Sequence, residues 1–213
     1  YTLSLHDALP ISTMDEYEDY LNKYLHLLPQ SITELSLCLA TPRGLVFPAL
    51  PKLPPGLTGG RFGSARASAV TSLPQHLTTI ELVPEHDIAE THLLIYGKDD
   101  ALDAILISGI LPPNLQTLHT VASKAALARL PTRLTSLNMW STQLLQDPDI
   151  LLLPATLTKL VVENSVPDLT DECIPALPHG LIEFSAPNAI QIRGDRYAWP
   201  VGLQKLVLGN GAT

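Results

Sequence analysis

Apolar residues recur along this chain in a fixed frame. The segment LPATLTKLVV (153–162) reads Leu-Pro-x-x-Leu-x-x-Leu-x-Val. The same frame returns at LPQSITELSL (28–37), LPQHLTTIEL (73–82), LPPNLQTLHT (111–120), LPTRLTSLNM (130–139), LPHGLIEFSA (177–186) and WPVGLQKLVL (199–208). A poorer copy, LPPGLTGGRF, starts at Leu53. The frame prolines Pro29, Pro54, Pro74, Pro112, Pro131, Pro154, Pro178 and Pro200 lie 25, 20, 38, 19, 23, 24 and 22 residues apart. Most of these intervals fall in or near the range of about 20–29 residues that marks a short solenoid repeat. The long interval is expected to hold a worn copy at 89–97, with Leu93 and Tyr96 at the leucine positions.

Each copy predicts one short strand. Residues two apart in a strand share a face, so Leu160 and Val162 point one way and their polar neighbours the other. Leu157 leads into the strand from the proline turn. Proline fixes φ and lacks an N–H, which suits the start of a strand and not its middle. A single strand of this length cannot bury its own apolar face, but a stack of copies makes a parallel sheet with a continuous core. Asn164, Asn188 and Asn210 each sit two residues beyond the last apolar position. Asparagine there is suited to hydrogen-bond backbone at the turn that follows.

Between the copies the spacing changes. Residues 13–27 predict a helix, with Thr13 and Glu16 as a capping box and Met14, Tyr17, Tyr20, Leu21, Tyr24, Leu25 and Leu28 on one face. It serves either as a cap over the first repeat or as the remnant of an upstream one. Residues 99–110, 123–130 and 168–177 predict short helices. The last carries Asp168 as its N-cap, with Cys173 and Ile174 turned inward. Residues 143–152 are interrupted by Pro148 and are less regular. The stretch 38–72 has the weakest pattern, and TGGRFGSAR (58–66) reads as a glycine-rich loop. That loop lacks the lysine and hydroxyl residue of a phosphate-binding loop.

The repeat resembles leucine-rich-repeat proteins of the Leu-Pro-x-x-Leu-x-x-Leu-x-Leu kind, similar to FNIP-type repeats and to secreted bacterial leucine-rich effectors. The resemblance covers roughly residues 28–208. It implies an α/β leucine-rich-repeat solenoid, with a parallel sheet on the concave side and short helices or turns on the convex side. Residues 1–12, YTLSLHDALPIS, resemble the translation of a sequencing adapter and are set aside as an expected artefact. The repeat domain is then 28–213, and both true termini are expected to lie beyond the sequence.

Composition narrows the function. A formal net charge of −8 argues against a nucleic-acid or anionic-membrane partner, since both require a basic surface. No apolar run is long enough to span a bilayer. The two cysteines, Cys38 and Cys173, are far apart in the repeat order. They argue against a disulfide framework and are compatible with a reducing, cytoplasmic compartment. No histidine has a partner at zinc-site spacing, and nucleophile-elbow and H-E-x-x-H motifs are absent. Asp147 and Asp149, and Asp99, Asp100 and Asp103, sit where helices begin, a position that favours acidic residues without any catalytic role. Neither cofactor nor metal is expected, and the chain does not read as an enzyme.

The expected function is protein binding through the concave face, by a preorganised surface that loses little freedom on association. Its candidate centre is Trp140, of a residue type enriched at interface hot spots, with Val121 and Val161 beside it and His119, Asn138 and Lys159 around it. One alternative is the substrate-recognition segment of a larger enzyme, such as a ubiquitin ligase or a kinase, whose catalytic domain lies outside this sequence. The other is an extracellular repeat that binds carbohydrate or a surface.

Overall fold

The structure is a computed structural model that describes residues 2–4, 27–37, 53–63, 73–83, 111–120, 124–139, 145–163 and 169–209. The worn copy at 89–97 and the helix expected at 99–110 lie outside the described residues, as does the helix at 13–27 apart from Leu27. Two compact units are present, residues 1–115 and 116–213.

Among the described residues, unit 1 carries four parallel strands in sequence order. They are β1 (Thr2–Ser4), β2 (Glu34–Leu37), β3 (Gly59–Gly63) and β4 (Thr79–Val83). The described residues of unit 2 carry five, β5 (Thr117–Thr120), β6 (Ser136–Met139), β7 (Lys159–Val162), β8 (Glu183–Ala186) and β9 (Lys205–Leu208), again parallel and in order. Strands β2 to β9 each begin five residues after a frame proline, so the register is one copy against the next: Leu118 beside Leu137, Leu137 beside Leu160, Leu160 beside Phe184, Phe184 beside Leu206.

The Pro-x-x-Leu spacing has a simple cause. In each copy the frame leucine, or Ile32, donates its N–H to the carbonyl of the proline three residues earlier, at 3.0–3.1 Å. The pairs are Ile32 to Pro29, Leu57 to Pro54, Leu77 to Pro74, Leu115 to Pro112, Leu134 to Pro131, Leu157 to Pro154, Leu181 to Pro178 and Leu203 to Pro200. Proline gives up no needed donor here, because its part in the turn is to accept.

A second bond stitches copy to copy. In six copies the two N–H groups after the frame leucine converge on one carbonyl of the preceding copy. Thr58 and Gly59 donate to Thr33, and Thr78 and Thr79 to Thr58. In unit 2, Thr135 and Ser136 donate to Gln116, Thr158 and Lys159 to Thr135, Ile182 and Glu183 to Thr158, and Gln204 and Lys205 to Ile182. Where the residue after the leucine is threonine, its hydroxyl reaches the same carbonyl: Thr58, Thr78, Thr135 and Thr158 do so at 3.1–3.2 Å. The recurrent Leu-Thr pair is therefore part of the stacking apparatus.

The strands bury one face. Leu118, Leu137, Leu160 and Phe184 are fully buried, as are Met139, Val162 and Ala186 two residues on. The frame leucines Leu57, Leu77, Leu115, Leu134, Leu157 and Leu181 complete the core. At roughly 1.5–3 kcal/mol for each buried aliphatic side chain, this column is the main source of stability.

The glycine-rich loop expected at 58–66 is instead strand β3 over Gly59–Gly63. Main-chain pairing to β2 and β4 decides this, and glycine supplies it as well as any residue.

On the opposite side of unit 2 the connections are short. The helix expected at 123–130 is a single turn, α1 (Lys124–Leu127). Two 3-10 helices follow, Asp147–Leu152 and Asp171–Ala176, and they pack on one another. Pro148 lies in the first turn of the former, where a missing N–H costs nothing. The latter is capped by the Thr170 hydroxyl, which accepts the Glu172 N–H. Asp168, the expected cap, lies outside the described residues. Cys173 and Ile174 point inward as expected.

Candidate binding face

The sheet side away from the core is where unit 2 shows side chains to solvent. In strands β5 to β8, buried positions alternate with half-exposed ones. Parallel register turns those half-exposed positions into two straight rows across the strands. One row is Thr117, Ser136, Lys159, Glu183 and Lys205. The other is His119, Asn138, Val161, Ser185 and Val207.

Of the expected centre, the structure brings His119, Asn138 and Val161 together on three adjacent strands. Lys159 belongs to the neighbouring row, between Ser136 and Glu183. Trp140 and Val121 lie outside the described residues. Asn138 is held by a 2.7 Å hydrogen bond from its Nδ2 to Oε1 of Glu163, and its Oδ1 is buried with no partner among the described residues. Asn188 Nδ2 donates to the Glu163 carbonyl at 2.6 Å. That is the backbone role expected of an asparagine just beyond a strand, and Asn164 and Asn210 lie outside the described residues.

Electrostatics add an ionic ladder that the spacing alone did not expose. Glu183 stands between two lysines, 3.2 Å from Lys159 Nζ and 2.8 Å from Lys205 Nζ. The Lys205 hydrogen bond holds its carboxyl below the usual glutamate range, against the opposing desolvation, and Lys159 adds to the lowering. In unit 1 the equivalent face carries an Arg61–Glu81 pair at 3.3 Å, again between adjacent strands.

The carboxylates on the back of unit 2 are engaged in cross-links between copies. Asp147 accepts the Thr170 N–H at 2.8 Å and its hydroxyl at 2.6 Å. One repeat later, Asp171 Oδ1 accepts the N–H groups of Arg193 and Gly194, both at 2.8 Å. Asp149 instead acts locally, accepting the N–H of Gln146 at the start of its own 3-10 helix. Glu172 binds Arg196 at 2.8 Å and the Tyr197 hydroxyl at 2.7 Å, with the Arg196 guanidinium 5.5 Å from the Tyr197 ring. An open cleft of about 480 Å³ lies beside these groups, between Thr170–Glu172 and the 190–196 loop. Gly194 in that loop has φ of 74°, and a Cβ there would meet the Trp199 indole at 2.9 Å. The repetition of aspartate at equivalent points, Asp147 and Asp171, was the sequence signal for this capping role.

Among the described residues no group of three or more His, Cys, Asp and Glu side chains is placed to hold a metal ion. Cys173 is buried and free, its thiol pushed up to about 12 by desolvation and then by the nearby Asp147 and Asp171 charges. Among the described residues no helix is long and apolar enough to cross a membrane.

No protein-family model and no curated protein sequence matches the chain. The crystal structure of the leucine-rich repeat-containing protein LegL7 from Legionella pneumophila is similar, with a TM-score of 0.52 and 16% sequence identity over 87% of this chain. The chain spans 63% of that structure's length. Parallel strands one copy apart, a leucine column behind them and this likeness together establish the fold as a leucine-rich-repeat solenoid.

Proposed function

We propose that the chain is a non-catalytic scaffold that binds a protein partner through the exposed sheet face of unit 2. The observation that carries this reading is the row His119–Asn138–Val161, half-exposed on strands β5 to β7 whose other side is buried. A fully packed core behind a polar and apolar row fixes the spacing of the contact groups, so little order is lost on binding. Trp140 and Val121 belong to this proposed centre, with Lys159 at its side. The ionic ladder beside it contributes orientation more than affinity, as exposed ion pairs are weak.

The test is site-specific photo-crosslinking. A photoreactive residue at Val161 is compared with one at Ile190, an exposed position outside the face. A protein captured only from Val161, and lost in Trp140→Ala and His119→Ala variants of unchanged thermal stability, supports the reading. Equal capture from both positions, or capture indifferent to those substitutions, sinks it.

A further inference from the structure

We infer that the sheet face of unit 2 selects an acidic segment of its protein partner, seating one carboxylate over Ser136, between Thr117 and Lys159. The inference rests on the binding-face reading above and gives that face a partner chemistry.

The seat is a block of six positions on three adjacent strands. Thr117, Ser136 and Lys159 open β5, β6 and β7, and His119, Asn138 and Val161 follow two residues on. All six are half-exposed, and Leu118, Leu137 and Leu160 between them are sealed in the core. Strands β6 and β7 each lie between two described strands, so the block owes nothing to the edge at β9.

Hydrogen-bond donors dominate the start of these strands. The Lys159 ammonium carries three N–H donors and no acceptor, and the side chain is 45% exposed. Glu183 meets it at 3.2 Å from the β8 side. On the β6 side its neighbour is Ser136, and beyond that stands Thr117. The hydroxyls of Ser136 and Thr117 and the imidazole of His119 have no partner among the described residues. Each can donate to an oxygen that arrives from solvent. Adjacent strands lie about 4.8 Å apart, so a group above Ser136 is one strand from Lys159 and one from Thr117.

Charge decides which group sits there. A carboxylate only accepts, and it takes a charge-assisted bond from Lys159 together with neutral ones from the hydroxyls. A lysine or arginine would meet Lys159 as a like charge. Direction follows as well. Glu163 lies four residues beyond Lys159, exposed, with the Asn138 amide held on its carboxylate at 2.7 Å. That is roughly 13 Å along the strand direction. An acid is therefore admitted where the strands begin and refused where they end. Val161 lies between, roughly 7 Å from Lys159, and offers an apolar contact. The favoured segment carries an acidic residue with an apolar one close by. The formal net charge of −8 opposes its approach, but salt screens that repulsion beyond about 10 Å while the contact at Lys159 persists.

The experiment selects random short peptides displayed on phage against the immobilised full chain. Enrichment of aspartate and glutamate beside apolar residues is the expected result. Synthetic copies should bind Lys159→Ala protein about fivefold more weakly, the scale of one exposed ion pair. Ser136→Ala, which leaves the Lys159–Glu183 pair in place, should cost a similar factor. Selection on Lys159→Glu should return lysine and arginine in place of the acids. Peptides lost on Val161→Arg but without acidic bias, or acidic yet indifferent to Lys159→Glu, overturn the seat and leave the face standing as a binding surface. Peptides indifferent to both substitutions bind elsewhere, and both readings fall. No enrichment over the bare support overturns the seat, and crosslinking from Val161 then judges the face alone.

Discussion

Leu160→Ala and Leu206→Ala remove the same side-chain carbons from the same point of the frame, yet the structure predicts different costs. The carbons lost carry about 2.4 kcal/mol of transfer free energy, at roughly 0.8 kcal/mol per methylene-sized group. Leu160 is fully buried in β7, with β6 and β8 on either side. The space it leaves cannot collapse freely, so a cavity term adds and the total is about 3–5 kcal/mol. Leu206 is already 42% exposed, so its loss is about 1.4 kcal/mol with no enclosed cavity. Urea unfolding followed by tryptophan fluorescence and far-ultraviolet circular dichroism measures both. With m at about 2 kcal/mol/M, the midpoint falls by about 1.5–2.5 M for Leu160→Ala and by about 0.7 M for Leu206→Ala. Equal shifts would refute the reasoning, since Leu206 would then be covered in solution. Repeating the titration at lower protein concentration separates self-association, whose contribution fades on dilution, from burial within the chain.

Three further outcomes are expected. Asp171→Ala leaves the N–H groups of Arg193 and Gly194 without their shared acceptor, a loss of about 1–3 kcal/mol; amide exchange should accelerate at both residues, and exchange unchanged there argues against the cap. Glu183 has a carboxyl pKa depressed in the folded state. Its contribution is present above the unfolded glutamate value and is lost as pH falls through the lower folded value; being exposed, it amounts to less than about 1 kcal/mol. Stability of Glu183→Gln should therefore fall less steeply than that of the parent across that acidic window, and parallel profiles would remove the ladder from the account. Cys173, buried with its thiol at about 12, should resist maleimide at neutral pH until unit 2 opens, because the thiolate is the nucleophile; peptide mapping that finds it modified at the rate of a free thiol contradicts its placement.

Much of this was legible in the residues. The Leu-Pro-x-x-Leu-x-x-Leu-x-Val frame announced parallel strands, and Leu160 and Val162 are buried as period two requires, with Leu157 buried at the turn before them. It also separated His119, Asn138 and Val161 from the core, while strand register put the three in one row. The frame did not reveal what proline and threonine do. Pro154 matters for its carbonyl, and Thr158 for a hydroxyl that reaches the copy before it. Such partners lie a whole repeat away, and local spacing cannot name them. Residues 58–66 misled for the same reason: Gly59 and Gly60 have weak strand preference of their own, and the strands on both sides impose it.

The sequence by itself determined the repeat, the direction of its apolar face and the residues left for solvent, because these follow from periodicity along one strand. Only the tertiary structure decided the rest. Stacking set Glu183 between Lys159 and Lys205, and made Asp147 and Asp171 acceptors for backbone N–H groups of the next copy. It also left Leu206 open while sealing Leu160. Side chains at identical points of a repeat have identical local chemistry; what differs between them is the neighbouring strand, and that is a property of the stack.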